Sequence, residues 1–379
     1  MATPAFGENF PPIAVPPLAR NAPGTERRAP GKKSWIRRTV RDSSQAWRRA
    51  FQYAFLLLNV WLGGEFFIWV RQYESGAARI GVARPAGVEG WLPIAGMMNL
   101  RYWLLTGRVP DVHPAAMFLL LTFLAMAFLL RKAFCSWLCP IGTISEWLWR
   151  AGQTILRRSF WAPRWLDLPL RGLKYLLLGF FVWAVSSMSA EGLERFLHSP
   201  YGLIADVKML NFFRFMGGTA AGVIAGLAVA SLFLPNFWCR YLCPYGALLG
   251  LTSLASPLRV RRNPPGCIDC AKCARACPAL LPVDRLLSVI SAECTGCLLC
   301  VAACPAENAL ELEWPKKPTA GRAAARMPAW AMAVCIAALF IGITGFAKAT
   351  GHWKSPIPDS VYRQLVPHAN EAAHPMPGQ

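Results

Sequence analysis

The sequence predicts an all-α polytopic membrane protein: two parallel-repeat helical hairpins and one further span, with a small cysteine-rich domain inserted before the last span. Three observations predict it. Five apolar segments of about 20 residues, the length a helix needs to cross a bilayer, lie near 51–70, 115–134, 172–190, 217–236 and 328–347. A nine-residue motif occurs twice, each time at the end of a pair of those segments. Eight of the 13 cysteines fall in two tight runs between the fourth and fifth segments.

Composition excludes the obvious alternatives. Hydrophobic residues make up 55% of the 379 and charged residues only 16%, against about 25% in soluble domains. The net charge of +20 invites a nucleic-acid reading, but the basic residues form no single stripe. They alternate between the apolar segments, as the charge bias of membrane loops does. A disulfide framework belongs to small secreted domains, which this chain does not resemble. The first apolar run begins near Ala50 after a long basic stretch, so no cleavable signal peptide is expected.

Residues 1 to about 34 are rich in Pro, Ala and Gly, and Lys32 to Arg49 is basic. Together, 1–49 reads as a disordered cytoplasmic tail. The transmembrane region follows at 50–256, the cysteine-rich insert at 257–316, the fifth span at 328–347 and an outer tail at 348–379. The apolar stretch Trp91 to Leu105 contains Pro93, Gly96 and Arg101 and reads as interfacial or re-entrant. Lys plus Arg total 29 in one set of alternate loops and 11 in the other. The positive-inside rule then places the N-terminus and the insert in the cytoplasm and the 348–379 tail in the periplasm, for a protein of the bacterial inner membrane.

The strongest motif is Cys267-x2-Cys270-x2-Cys273-x3-Cys277-Pro278, which recurs as Cys294-x2-Cys297-x2-Cys300-x3-Cys304-Pro305. This is the run of bacterial two-cluster ferredoxins, in which the fourth cysteine serves the other cluster. The expected ligand sets for two [4Fe–4S] clusters are Cys267, Cys270, Cys273 and Cys304 for one, and Cys294, Cys297, Cys300 and Cys277 for the other. A zinc site would use C-x2-C pairs with longer gaps. So small an insert builds little core of its own, and the clusters would supply much of its folding energy.

The duplicated motif is Phe134-Cys-Ser-Trp-Leu-Cys-Pro-Ile-Gly142 and Trp238-Cys-Arg-Tyr-Leu-Cys-Pro-Tyr-Gly246, identical at five of nine positions. Cys135 and Cys139, like Cys239 and Cys243, stand at i and i+4 and share a helix face. With proline next, each pair would occupy a last helical turn. Four thiolates at one membrane face could hold a third cluster, bind copper, or switch between thiol and disulfide. The plainer reading is buried small residues packing a helix end.

Glu65 falls inside the first span, where a carboxylate is a functional candidate. His113 opens the second span and His198 precedes the fourth. All three are expected toward the outer face, where they could take protons from a quinol, ligate haem, or be satisfied by neighbouring helices. Arg71 is close enough in sequence to pair with Glu65. Cys335 stands alone in the last span and reads as packing.

Two hairpins ending in C-x3-C-P, followed by a two-cluster insert, resemble the membrane polyferredoxins. These include NapH-type quinol-oxidising subunits of periplasmic nitrate reduction, the C-terminal part of NosR-type proteins and CcoG-type proteins of oxidase assembly. The resemblance covers roughly 50–316. It departs at the outer tail, which a short NapH-type subunit would lack, and in having no flavin-bearing domain before the spans, as a NosR-type protein has. It implies a quinol-oxidising oxidoreductase component that passes electrons between the quinone pool and a protein partner such as a periplasmic reductase, a cytochrome or a cytoplasmic ferredoxin. The alternative it implies is an assembly factor that reduces or delivers copper.

Overall fold

The computed structural model describes residues 42–77, 79–156, 162–314 and 325–375. The proline-rich stretch, the basic stretch as far as Arg41 and the linker 315–324 lie outside the described residues.

Helix α1 runs Ser44–Glu74, about 46 Å at 1.5 Å per residue. Its C-terminal half buries Phe66, Trp69, Val70 and Tyr73, spaced by three and four so that they share one face. Leu57, Val60, Trp61 and Ile68 point outward, as lipid-facing residues do. A short 3-10 turn, Ala86–Trp91, leads into α2, Pro93–Thr106. At 14 residues, α2 is too short to span, and Gly107 at φ 72° ends it in the left-handed region.

Helix α3, Pro114–Leu130, buries most of its residues and leaves Phe128 exposed. It stops where Arg131 turns to φ 62°. That turn aims the Arg131 guanidinium at the carbonyl oxygens of Ser253, Val289 and Ser291, tying the membrane bundle to the insert. Two short steps follow, α4 (Ala133–Trp137) and α5 (Pro140–Leu156). Helix α6, Arg164–Ser187, carries Pro169 in its first turns. Then come α7 (Ala190–Leu197), α8 (Pro200–Leu203), α9 (Ala205–Arg214) and α10 (Gly218–Phe233). A π-helical turn, Trp238–Leu242, leads to α11, Pro244–Leu254.

The insert holds β1 (Arg259–Arg262), α12 (Lys272–Arg275), α13 (Leu299–Ala302), β2 (Leu310–Trp314) and β3 (Ala325–Arg326). The three strands form one antiparallel sheet in the order β1-β2-β3, with Arg259 opposite Glu313 and Arg262 opposite Leu310. The third strand carries the domain past the expected boundary at 316. The last long helix, α14, is Ala329–Ala349, and α15 is Asp359–Leu365.

The expectation of five spans needs correction. Among the described residues, three helices are long and apolar enough to cross a membrane: α1, α6 from Trp165, and α14. Helix α3 has 17 residues, and helix α10 has 16 and ends in extended backbone at Leu234, before Pro235. Helices α9 and α10 meet the criterion only as one span bent by 83°. The apolar run around α3 is long in sequence, but the chain spends its end on the Arg131 turn. A short helix is tolerable where protein rather than lipid surrounds it.

The bundle has two distinct ends. The largest core joins α3, α4, α11 and α14 to the insert, through Leu130, Trp137, Leu249, Leu298, Val301, Met332 and Ile336. At the other end, the C-terminal halves of α1 and the 3-10 turn pack on α9 and α15, through Trp69, Val88, Val207, Tyr362 and Val366.

Candidate functional site

The two cysteine runs of the insert fold alike, residue for residue. Asp269 and Ala271 in the first have φ 55°, and Gly296 and Leu298 in the second have φ 62° and 59°. Each loop thus coils left-handed twice before entering α12 or α13, turning its three thiols to one side. The first pocket is lined by Cys267, Cys270, Cys273 and Cys304, beside Asp284. The second is lined by Cys277, Cys294, Cys297 and Cys300. The structure therefore brings together the two cross-shared sets that the spacing predicts. Burial and the Asp284 charge push the Cys273 thiol up to about 11. Burial, with Cys297 and Cys294 close by, pushes Cys277 up to about 12. Both thiols hold their protons until a metal displaces them.

Cys135, Cys139, Cys239 and Cys243 all line one large cavity of about 930 Å³. They are close enough to one another for each to feel its neighbours' charge. The expected last helical turn is not what holds them. Cys135 lies in α4 and Cys139 follows it, while Cys239 lies in the π-helical turn and Cys243 caps α11. Each pair straddles a break between helices. Pro140 and Pro244 begin the next helix, where a missing N–H costs nothing. A Cβ on Gly142 would overlap the Cys135 carbonyl oxygen, which explains the glycine after the first proline.

The cavity extends far from the quartet. Phe55, Leu58, Leu62 and Glu65 of α1 line it, together with Leu119 and Phe123 of α3 and Phe340 of α14. Arg84, Lys348 and Lys354 line its far end. At its near end it shares Thr295, Cys297, Pro278 and Ala279 with the second cysteine pocket.

Sequence reasoning missed the residues that seat this junction. Inside the first motif, the Ser136 hydroxyl donates to the Thr295 carbonyl oxygen at 2.7 Å, and Trp137 Nε1 to that of Gly296 at 3.1 Å. Gln45 donates to the Cys297 carbonyl oxygen at 3.0 Å. In the second motif, Arg240 donates to the Pro278 carbonyl oxygen at 3.2 Å and is held by Asp167. Both motifs thus grip the backbone that carries Cys294, Cys297 and Cys277. The signal was present in the sequence as the polar Ser136 and Arg240 at matching positions of the repeat. Arg48 makes a bidentate ion pair with Glu146 at 2.7 and 2.8 Å, next to the Ser136 carbonyl. Burial raises the Glu146 carboxyl, but the Arg48 hydrogen bonds and charge outweigh it and hold it at about 2. Lys174 pairs with Glu293 at 2.6 Å, and the nearly buried Lys132 acts on the quartet thiols.

The three outer candidates do not converge. Glu65 lines the cavity. His113 is buried with both ring nitrogens engaged, Nδ1 by Arg84 at 3.0 Å and Nε2 by the Gly202 carbonyl at 2.9 Å, which leaves neither free for haem. His198 is exposed and bonded to its own helix at the Glu194 carbonyl. Arg71 pairs with Glu74 at 3.7 Å rather than with Glu65, because i, i+3 neighbours face each other. Cys335 packs against the main core. Among the described residues, no group of three or more His, Cys, Asp or Glu is gathered tightly enough for a single metal ion.

The same family model, a 4Fe-4S binding domain, matches residues 112–160 and 216–263, and a 4Fe-4S dicluster domain matches 259–305. YccM of Escherichia coli, whose name assigns it to electron transport, is 47% identical over 332 residues, which is 88% of this chain and 93% of that protein. The chain belongs to the membrane polyferredoxins. A second member of the polyferredoxins, the ferredoxin-type protein NapH of E. coli, is 25% identical over 66% of this chain and 79% of its own length. The regulatory protein NosR of Pseudomonas aeruginosa is 32% identical over 42% of this chain and 22% of its own length. No solved structure matches the chain. As a polyferredoxin, the chain is an iron–sulfur electron-transport protein of a membrane.

Proposed function

We propose that this polyferredoxin oxidises quinol in its large cavity and passes the electrons, one at a time, to a redox partner at the insert. The observation that carries this reading is the shared wall. The cavity and the second cysteine pocket have Cys297 in common, so a lipid-soluble donor in the cavity would touch the cluster's own ligand. A volume of about 930 Å³ falls within the range of small-molecule sites. Phenylalanine and leucine walls suit a ring with an isoprenoid tail.

The donor sets fit iron–sulfur clusters. Four cysteines line each insert pocket, the number of thiolates that a [4Fe–4S] cubane takes. We assign Cys267, Cys270, Cys273 and Cys304 to one [4Fe–4S] cluster and Cys294, Cys297, Cys300 and Cys277 to the other. Cys135, Cys139, Cys239 and Cys243, converging from two parallel repeats, are assigned to a third iron–sulfur site. Such clusters supply one-electron acceptors at modest potentials. The protein's part is to seat the second pocket against the cavity through Ser136, Trp137 and Arg240. It also places Lys132 where a positive charge offsets the thiolates. The insert faces the cytoplasm and the 348–379 tail the periplasm of a bacterial inner membrane, in keeping with the charge split between loops.

The test is anaerobic addition of a soluble quinol to the purified protein. Bleaching of the cluster absorbance, absent when an oxidised quinone is added instead, is the expected result. Clusters that dithionite reduces and quinol does not would rule out the quinol reading.

A further inference from the structure

The two cysteine runs of the insert share one backbone course, so their differences in side chain are informative. Ala271 before α12 and Leu298 before α13 hold the same left-handed position. Cys270 therefore corresponds to Cys297, Lys272 to Leu299 and Arg275 to Ala302. The second run turns this face to the membrane bundle. Leu299 lines the large cavity, and the Cys297 carbonyl oxygen accepts from Gln45 of α1 at 3.0 Å.

The first run turns the equivalent face to solvent. Its Cys270 carbonyl oxygen accepts from Arg275 Nη2 at 2.9 Å. An arginine of the run itself thus fills the place that Gln45 of the bundle fills in the other run. Lys272 and Arg275 are both exposed. The carboxylates of this run and its pocket have cations of their own, Asp269 facing Arg262 at 3.2 Å and Asp284 facing Arg285 at 3.9 Å. Lys272 and Arg275 therefore stand as surplus positive charge over the first pocket. Beside them, Leu287 accepts from the amide of the pocket residue Arg262 at 2.9 Å and leaves its side chain 63% exposed. An apolar contact ringed by charge is the anatomy of a docking patch.

We propose that Lys272 and Arg275 of α12 form the docking surface for an acidic, water-soluble one-electron carrier protein, which takes its electron from the first-run cluster. This deepens the reading above and rests on its cluster assignment. The face of the second run is occupied by the bundle, so the first run is the terminus that a soluble partner can reach. A partner carboxylate on Arg275 would stand one side chain away from the Cys270 loop. One electron passes at each encounter: the first-run cluster is oxidised by one electron and the carrier is reduced by one. No bond forms or breaks, and no proton moves. Charge pairing at such a surface gives orientation and a fast on-rate more than affinity, which suits a carrier that must leave after every electron.

The experiment uses the full chain, solubilised with its clusters, reduced by dithionite and freed of excess reductant. Dithionite replaces quinol, so the outcome is independent of the quinol reading. The protein is mixed anaerobically with ferric cytochrome b5, an acidic haem protein, or ferric cytochrome c, a basic one. Haem absorbance follows the electron, and binding of ferric cytochrome b5 to the unreduced protein is measured separately. Lys272→Glu with Arg275→Glu should slow reduction of cytochrome b5 roughly tenfold at low salt, within the range of electrostatic steering. Binding should weaken alongside, and reduction of cytochrome c should speed up, while iron content and cluster spectra stay as in wild type. At about 1 M salt, where the Debye length is about 3 Å, wild type and variant should converge. Arg108→Glu, just before α3 at the bundle's other end, changes the net charge away from the patch and should leave both rates near wild type. If Arg275→Glu disturbs the first cluster, Lys272→Glu alone decides. Unchanged cytochrome b5 kinetics and binding in the variant, or equal slowing by Arg108→Glu, overturn the docking surface and leave the cluster assignment standing. So does a variant that loses only its binding to phosphatidylglycerol vesicles, which would make the patch a lipid contact. A wild-type protein whose iron and spectra show no first-run cluster overturns the assignment itself.

Discussion

The hydroxyl of Ser136 reaches the carbonyl oxygen of Thr295, 159 residues away in sequence, at 2.7 Å. With the Trp137 indole on Gly296, it fixes the loop between Cys294 and Cys297 to the first C-x3-C-P motif. Trp137→Phe keeps the buried ring and deletes the donor, leaving a buried carbonyl unsatisfied at a cost of about 1–3 kcal/mol. The second-run cluster should be lost at lower denaturant concentration than in wild type, with the first-run cluster unchanged. Electron paramagnetic resonance along a urea series would read both. Simultaneous loss of the two signals would contradict the assignment.

Cys277 lines the pocket of the second run and not of its own. Cys277→Ser should therefore disturb the cluster held by Cys294, Cys297 and Cys300, while iron analysis and spectra show the first-run cluster intact. Selective loss of the first-run cluster would sink the cross-shared sets.

Cys139 shares the cavity with its three partners. Cys139→Ser should abolish reduction by quinol while both insert clusters keep their spectra and still accept electrons from dithionite. Undiminished quinol reduction would make the quartet a packing feature.

Glu146 is held at about 2 by Arg48, below the ordinary carboxylate value of 4.5. A depressed folded-state value means the stabilisation is fully present above about pH 4.5 and drains away as pH falls toward 2. Unfolding of the detergent-solubilised protein, followed by tryptophan fluorescence, should show this acid-dependent loss in wild type and a shallower slope in Glu146→Gln. Arg48→Met leaves the buried carboxylate to Arg150 at 2.6 Å and Gln52 at 3.2 Å and should destabilise the protein at neutral pH by less than the about 3–5 kcal/mol of a fully broken buried pair. Matching acid slopes for wild type and Glu146→Gln would assign the pH dependence elsewhere.

A reporter fused after Gln379 should behave as translocated, and one within the insert as cytoplasmic. The charge split between alternate loops is the reason. The reverse result would invert the topology.

Much of this was legible because the chemistry depends on spacing. The eight insert cysteines announce their grouping through x2-x2-x3 intervals, and the structure gathers them in those groups. The quartet was visible through repetition of Pro140 and Gly142 as Pro244 and Gly246. Helix length was not legible, because hydropathy reads an apolar run and not the turn at Arg131 that cuts α3 short. Nor were the relations of His113, whose partners Arg84 and Glu89 precede α2 while the third, the Gly202 carbonyl, lies in α8. Sequence position suggested that Arg71 would meet Glu65, but helical phase gave it Glu74 instead.

The seat of the last helix has a consequence for how the protein is made. Met332, Ala333 and Ile336 of α14 belong to the same core as Leu298 and Val301 of the insert, and the Met332 side chain lies beside Gly296. The ribosome therefore releases α14 after the loop on which it must rest. On the cluster assignment proposed above, the cofactor draws Cys294, Cys297 and Cys300 together, so that cofactor loading and docking of α14 would be one cooperative event. A cell short of iron would accumulate chains whose final helix is inserted in the bilayer but undocked, exposed to the proteases that survey unfinished membrane proteins.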